Sequence, residues 1–164
     1  MTFSAMVIGL GQIGMGYDYS ATPNEMVVTH TQALEFHDGF NLIGGIDTDE
    51  NKRKRFTNKF GKPTFSHHKD ALDKLNPDIV VISTPTESHL STFEDVMNHI
   101  TPKMIILEKP LSYDVSESIK IIDIGISRLI PVAVNYFREY EPTYRKILEK
   151  IKVGLVGFPI KLVI

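Results

Sequence analysis

Apolar residues along the chain fall into two alternating kinds of run. Short, largely apolar runs cover 3–8, 40–46, 79–83, 104–107 and 131–134. Runs apolar on both faces suit central strands of a parallel sheet covered by helices. Between them, apolar residues recur at three- and four-residue spacing over 29–37, 49–60, 67–75, 90–100 and 114–126, which predicts amphipathic helices. In the second of these, Phe56 and Phe60 share one face and the charged stretch 51–55 forms the solvated side. The fourth presents Leu90, Phe93, Val96 and Met97, and the fifth is expected to bury Ile119 and Ile122. Asp49, Ser66 and the pair Asp114 and Glu117 are the expected N-terminal caps. A sixth helix is expected to open at Pro142, a favoured first helical residue, and to carry Ile147, Leu148 and Ile151. Repeated strand–helix units predict a doubly wound parallel α/β sheet with right-handed crossovers.

Composition narrows the function. The chain has 164 residues, enough for one domain that buries roughly 70% of its unfolded surface. Its net charge of −2 provides no basic field for nucleic acid or an anionic membrane. With no cysteine, disulfides, thiolate metal sites and a cysteine nucleophile are excluded, and a cytoplasmic setting is favoured. No metal site is expected. No apolar run is long enough to span a bilayer, and the first residues lack the basic start of a signal peptide.

Four short segments carry candidate chemistry. Gly9-Leu10-Gly11-Gln12-Ile13-Gly14 follows the first predicted strand directly. Gly9 suits a tight turn, Gly11 close approach of backbone to a pyrophosphate, and Gly14 close packing of helix on strand. The phosphates would then meet free N–H groups at a helix N-terminus. Asp47 ends the second strand, where an acid accepts hydrogen bonds from adenosine ribose hydroxyls. It arrives 33 positions after Gly14 (47 − 14), against roughly 20 in the usual fingerprint. The stretch 15–28, with Gly16, Pro23 and Asn24, accounts for the excess and is not expected to be regular helix throughout. An ordinary strand–helix turn, and a turn-forming role for Asp47, are the alternatives.

A carboxylate at position 47 disfavours a 2′-phosphate: two unit charges 4 Å apart repel by about 4 kcal/mol at an effective dielectric of 20. NAD is therefore expected over NADP; a cation from 52–55 that folds back would offset the repulsion only in part, and helix phase makes most of that run a solvent-facing stripe. The third segment, Ser83-Thr84-Pro85-Thr86-Glu87-Ser88-His89, follows a buried strand at the sheet end where ligands bind. By itself it also reads as a turn with a capping histidine. The fourth, Glu108-Lys109-Pro110, again ends a strand. A cis bond before Pro110 is allowed, and a lysine in a dry cleft can exchange a proton near neutral pH. A surface ion pair is the plainer reading of these three residues.

Together, GLGQIG, Asp47, TPTESH and EKPLS resemble, in that order, the Gfo/Idh/MocA family of glucose–fructose oxidoreductases and inositol dehydrogenases. The stretches VNYFREYEPTYRKI and GLVGFPIKLVI resemble the family's segment after the last Rossmann strand and the start of its second domain. The resemblance implies a Rossmann-type NAD-binding domain over 1–135. It also implies a linker helix and first strand of a second α+β domain, for substrate binding or oligomerisation, over 136–164. It implies hydride transfer between nicotinamide and a small sugar, cyclitol or nucleotide-sugar, in the intact enzyme rather than in this chain alone. By that similarity Gly9, Gly11, Gln12, Ile13 and Gly14 would contact the pyrophosphate and Asp47 the adenosine ribose. Thr84, Pro85 and His89 would line the nicotinamide side. Glu108 would bind the nicotinamide ribose, with Lys109 as the catalytic group beside the reacting carbon. Asn135 and Arg138 match positions at the cofactor or substrate rim.

The stretch 15–28 departs from the family's pattern. Tyr17, Asp18 and Tyr19 are candidate substrate contacts there, a tolerated surface insertion being the alternative. The apolar alternation of Phe158, Ile160, Leu162 and Ile164 predicts a strand whose open edge would favour a homo-oligomer. Two other readings remain: a non-enzymatic NAD-binding sensor or partner subunit, and an S-adenosylmethionine-dependent methyltransferase. TPTESH and EKP weigh against the second.

Overall fold

The computed structural model describes residues 1–22, 27–155 and 157. Six strands form one parallel sheet: β1 (Phe3–Ile8), β2 (Phe40–Ile46), β3 (Thr64–Phe65), β4 (Ile79–Ile82), β5 (Met104–Leu107) and β6 (Val132–Val134), in the order β3-β2-β1-β4-β5-β6. All five pairings are parallel. The chain winds outward from β1 to one edge and then from β4 to the other, so the order reverses between β1 and β4.

Alternate side chains of each central strand enter different cores. Met6 and Ile8 of β1, with Val80 and Ile82 of β4, pack against Leu72, Phe93 and Val96. Ala5 and Val7, with Ile79 and Val81, pack against Leu34, Phe56 and Phe60. This two-sided burial is the reason the strands read as continuous apolar runs.

Helices α1 (His30–Phe36), α2 (Glu50–Phe60), α3 (His68–Leu75), α4 (His89–His99) and α5 (Val115–Ser127) alternate with the strands. The Asp49 and Asp114 caps form as expected, accepting from the N–H groups of Asn51 and Ser116. Two expectations are corrected, and one strand was not expected. Ser66 does not cap α3; His67 holds the cap position without a side-chain bond. The two-residue β3 is too short to leave a periodic signal. In α5 the buried face is Ile121 and Gly125, while Ile119 and Ile122 are 53% and 46% exposed. Isoleucines occupy 119, 121, 122, 124 and 126, so hydrophobicity alone marks no face of this helix.

The chain divides into two compact units, 1–134 and 135–164. The described part of the second is a 3-10 turn, Phe137–Tyr140, and helix α6 (Pro142–Lys152), with proline in the first turn and Glu141 accepting from the Tyr144 N–H. The expected strand over 158–164 lies outside the described residues. No described helix is long and apolar enough to cross a membrane.

Candidate functional site

Strands β1, β2, β4 and β5 end at one edge of the sheet, and the residues that follow are Gly9, Asp47, Ser83 and Glu108. Ligands of open α/β sheets bind outside this carboxyl edge where the strand order reverses, here between β1 and β4.

The glycine turn is built from backbone. Gly9 has φ +94°, a conformation other residues rarely adopt. A Cβ on Gly9 would lie 2.6 Å from the Ser83 carbonyl oxygen, and one on Gly14 would lie 2.0 Å from the Gly9 carbonyl oxygen. The Ser83 hydroxyl donates to that same Gly9 oxygen at 2.7 Å. Gly11 differs: nothing stands within 4 Å of where its Cβ would be, so a ligand can approach its backbone. After it the expected helix is replaced by one wide π turn, Gln12–Gly16, closed by bonds such as Gly16 N–H to the Gly11 carbonyl at 2.9 Å. Met15 on this turn is fully buried.

Asp47 joins the turn to β2. Its Oδ2 accepts from the Leu10 N–H at 2.8 Å and its Oδ1 from the Asp49 N–H at 2.9 Å. The Lys52 ammonium stands 3.4 Å from Oδ2. Arg53 folds back on the backbone, donating to the carbonyls of Asp47 and Thr48 at 2.7 and 2.8 Å, whereas Lys52 pairs with the Asp47 carboxylate.

An open cleft of about 500 Å³ runs along this edge, lined by Gly9, Gly11, Asp47, Lys52, Ser83, Thr84 and Pro85 among others. This is within the usual range for small-molecule and cofactor sites. Within it the Thr84 hydroxyl is buried and has no partner among the described residues, as suits a group awaiting a ligand. The open Gly11 cradle, the fixed Asp47 carboxylate and this hydroxyl fit a dinucleotide.

Other expected residues have different surroundings. His89 is 1% exposed and does not line the cleft. Its Nε2 faces the Thr84 carbonyl at 3.0 Å and its Nδ1 the Leu111 carbonyl at 3.1 Å, tying the TPT turn to the segment after EKP. Glu108 is buried; its Oε1 lies 2.8 Å from His30 Nε2, and its Oε2 accepts from the Lys109 N–H at 3.3 Å. The Lys109–Pro110 bond is cis. Lys109 is exposed, and the dry cleft expected around it is not formed by the described residues. Asn135 and Arg138 belong to the second unit.

Described residues on either side of 23–26 are fastened by hydrogen bonds. Asp18 is 4% exposed. Its carboxylate accepts from the N–H groups of Val28 (2.7 Å) and Thr29 (2.8 Å) and from the Thr29 hydroxyl (2.5 Å). Burial pushes the carboxyl up, but the hydrogen bonds from the Thr29 hydroxyl, the Val28 and Thr29 N–H groups and Gln32 together outweigh it and hold it below the usual carboxylate range. Tyr19 donates to the Arg55 carbonyl at 3.0 Å, under a guanidinium 4.2 Å from its ring centre. Asp18 and Tyr19 thus serve the fold where substrate contacts were expected, and Tyr17 remains exposed.

Sequence reasoning missed His30 and the cleft residues Ser66, His68, Ser88, Ser91 and Thr92. The last three sit at helical spacing directly after TPTE, a signal that was available. Among the described residues, no cluster of three or more His, Asp or Glu side chains is placed to hold a metal ion.

Strand order, glycine turn and cleft define a Rossmann-type dinucleotide-binding domain. The chain belongs to the Gfo/Idh/MocA oxidoreductase family, whose NAD-binding Rossmann-fold profile matches residues 3–136. Inositol 2-dehydrogenase 3 of Saccharopolyspora erythraea is 26% identical over 162 residues, covering 98% of this chain and 44% of that protein. Two solved structures share the fold. Myo-inositol dehydrogenase from Lactobacillus casei, in complex with NAD(H) and myo-inositol, has a TM-score of 0.77 at 21% identity, over 97% of this chain and 44% of that one. KijD10, a 3-ketoreductase from Actinomadura kijaniata in complex with NADP and TDP-benzene, has a TM-score of 0.77 at 19% identity, over 96% and 44%. This chain spans less than half the length of each.

Proposed function

We propose that this chain is the NAD(H)-binding part of a dehydrogenase acting on a sugar, cyclitol or nucleotide-sugar. The observation that carries this reading is the bond from the Leu10 N–H to Asp47 Oδ2 beside the open face of Gly11. It sets a phosphate cradle and a ribose acceptor in one rigid unit. Bound nicotinamide supplies the hydride chemistry. Gly11 admits the pyrophosphate, Asp47 accepts from the adenosine ribose hydroxyls, and the Thr84 hydroxyl faces the bound dinucleotide. Glu108 accepts from the nicotinamide ribose, and Lys109 moves the proton on the reacting oxygen once a second domain covers it. The inositol dehydrogenases and the 3-ketoreductase above support the substrate class. The reading places the protein in the cytoplasm, as a homo-oligomer assembled through that further domain.

Asp47 favours NAD over NADP by charge repulsion, which Lys52 offsets in part. Titration of the chain with both reduced cofactors tests both points. Tighter NADH binding is expected; equal affinities contradict the NAD preference, and no binding of either contradicts the cofactor site. A sensor without turnover is distinguished in the full-length protein: K109A abolishes the rate of a dehydrogenase and leaves a sensor unchanged.

A further inference from the structure

Glu108 and His30 are 78 residues apart in sequence, yet Oε1 and Nε2 stand 2.8 Å apart with side chains only 10% and 14% exposed. A carboxylate this buried needs committed donors. With the carboxylate ionised, Oε1 accepts and the Nε2–H tautomer of His30 donates. The other oxygen, Oε2, takes the Lys109 N–H. The two bonds hold both oxygens at the root of the EKP turn.

His30 is in turn placed by the extra chain. It is the first residue of α1, and the two preceding N–H groups, of Val28 and Thr29, are both held by Asp18 Oδ2. Thr29 occupies the cap position but makes no cap bond into α1; its hydroxyl goes to Asp18 Oδ1 instead. Gln32, in the first turn of α1, donates to the Asp18 carbonyl. Lys59 of α2 reaches the same carbonyl at 3.4 Å. The segment that interrupts the first helix therefore also restarts it, in a fixed position, with a histidine at its head.

We propose that His30 is a positioning residue for Glu108, set in place by the Asp18 clamp, and that it orients the carboxylate for the nicotinamide-side ribose of the cofactor. This rests on the cofactor role proposed for Glu108 above. What His30 must supply is one N–H at the reach of Nε2. Glutamine offers an amide N–H at about that reach; leucine fills the space without a donor.

The test measures NADH affinity of the 164-residue chain for wild type, H30Q, H30L, E108Q and the double variant H30L/E108Q, with thermal midpoints as the control for folding. Expected is a loss of about tenfold in H30L and recovery to within about threefold of wild type in H30Q. In the E108Q background, adding H30L should cost less than about threefold, because the group it orients is already changed. Should H30L fail to fold, H30M and H30M/E108Q, which also lack the donor, provide the same cycle. An H30Q as weak as H30L, an unaffected H30L, or an equal loss in both backgrounds overturns the role of His30. If E108Q leaves affinity unchanged while the chain still binds NADH, the assignment of Glu108 fails and the proposal falls with it. If wild type binds neither NADH nor NADPH, the cofactor reading itself is what has failed.

Discussion

The Leu10 N–H donates to Asp47 Oδ2 at 2.8 Å, so the glycine turn after β1 and the acid after β2 move as one piece. The carboxylate orders the cradle as well as offering itself to a ribose. Asp47→Asn keeps an acceptor and removes the charge. NADH affinity should fall several-fold, since hydrogen bonds to a charged acceptor are roughly twice as strong as neutral ones. NADPH should lose less, so the ratio of the two dissociation constants should shrink, by no more than the NADH loss itself. Parallel titrations of wild type and variant measure it.

Gly14→Ala tests the closeness of the turn. Its Cβ would stand 2.0 Å from the Gly9 carbonyl oxygen, which backbone must yield to. A loss of about 2 kcal/mol or more is expected, together with loss of NADH binding. Gly11→Ala meets no protein atom, so it should fold like wild type and lose cofactor affinity alone. Urea unfolding beside NADH titration separates the two.

Asp18→Ala leaves two N–H groups and the Thr29 hydroxyl without their acceptor. The expected cost is about 1–3 kcal/mol, read by urea unfolding at neutral pH. An unchanged midpoint would mean the extra chain is not fastened through this carboxylate.

Asp78 provides a pH signature away from the cleft. Hydrogen bonding to Lys103, then to the N–H and hydroxyl of Ser4, pulls its carboxyl down to about 2. Its folded value lies below the unfolded value of about 3.9. The stabilisation is therefore present above pH 4 and lost as pH falls toward 2. Asp78→Asn should lower the melting temperature at pH 7, and the gap to wild type should close as pH approaches 2.

Much of the fold was legible in the sequence because two-sided burial leaves unbroken apolar runs. The bounds of β1, β2 and β5 match those runs residue for residue. The buried face of α5 was not legible, because isoleucines at both odd and even positions give every face an apolar look. Gly9, Gly11, Asp47, Thr84 and Pro85 come together in the cleft, at the strand ends outside which ligands of open α/β sheets bind. His30 could not be found this way. Its partner is 78 positions on, and the extra chain breaks the spacing that would tie it to the glycine loop. Lys52 sat within a charge run that reads as a solvated stripe, and only the turn made by the 47–49 segment brings it back over Asp47.

The most direct measurement is a calorimetric titration of the folded 164-residue chain with NADH. The dinucleotide-site reading predicts saturable binding of one NADH per chain, weakened by Asp47→Asn and abolished by Gly14→Ala. A chain that is folded by circular dichroism yet gives no binding heat with NADH or NADPH at several temperatures would contradict it.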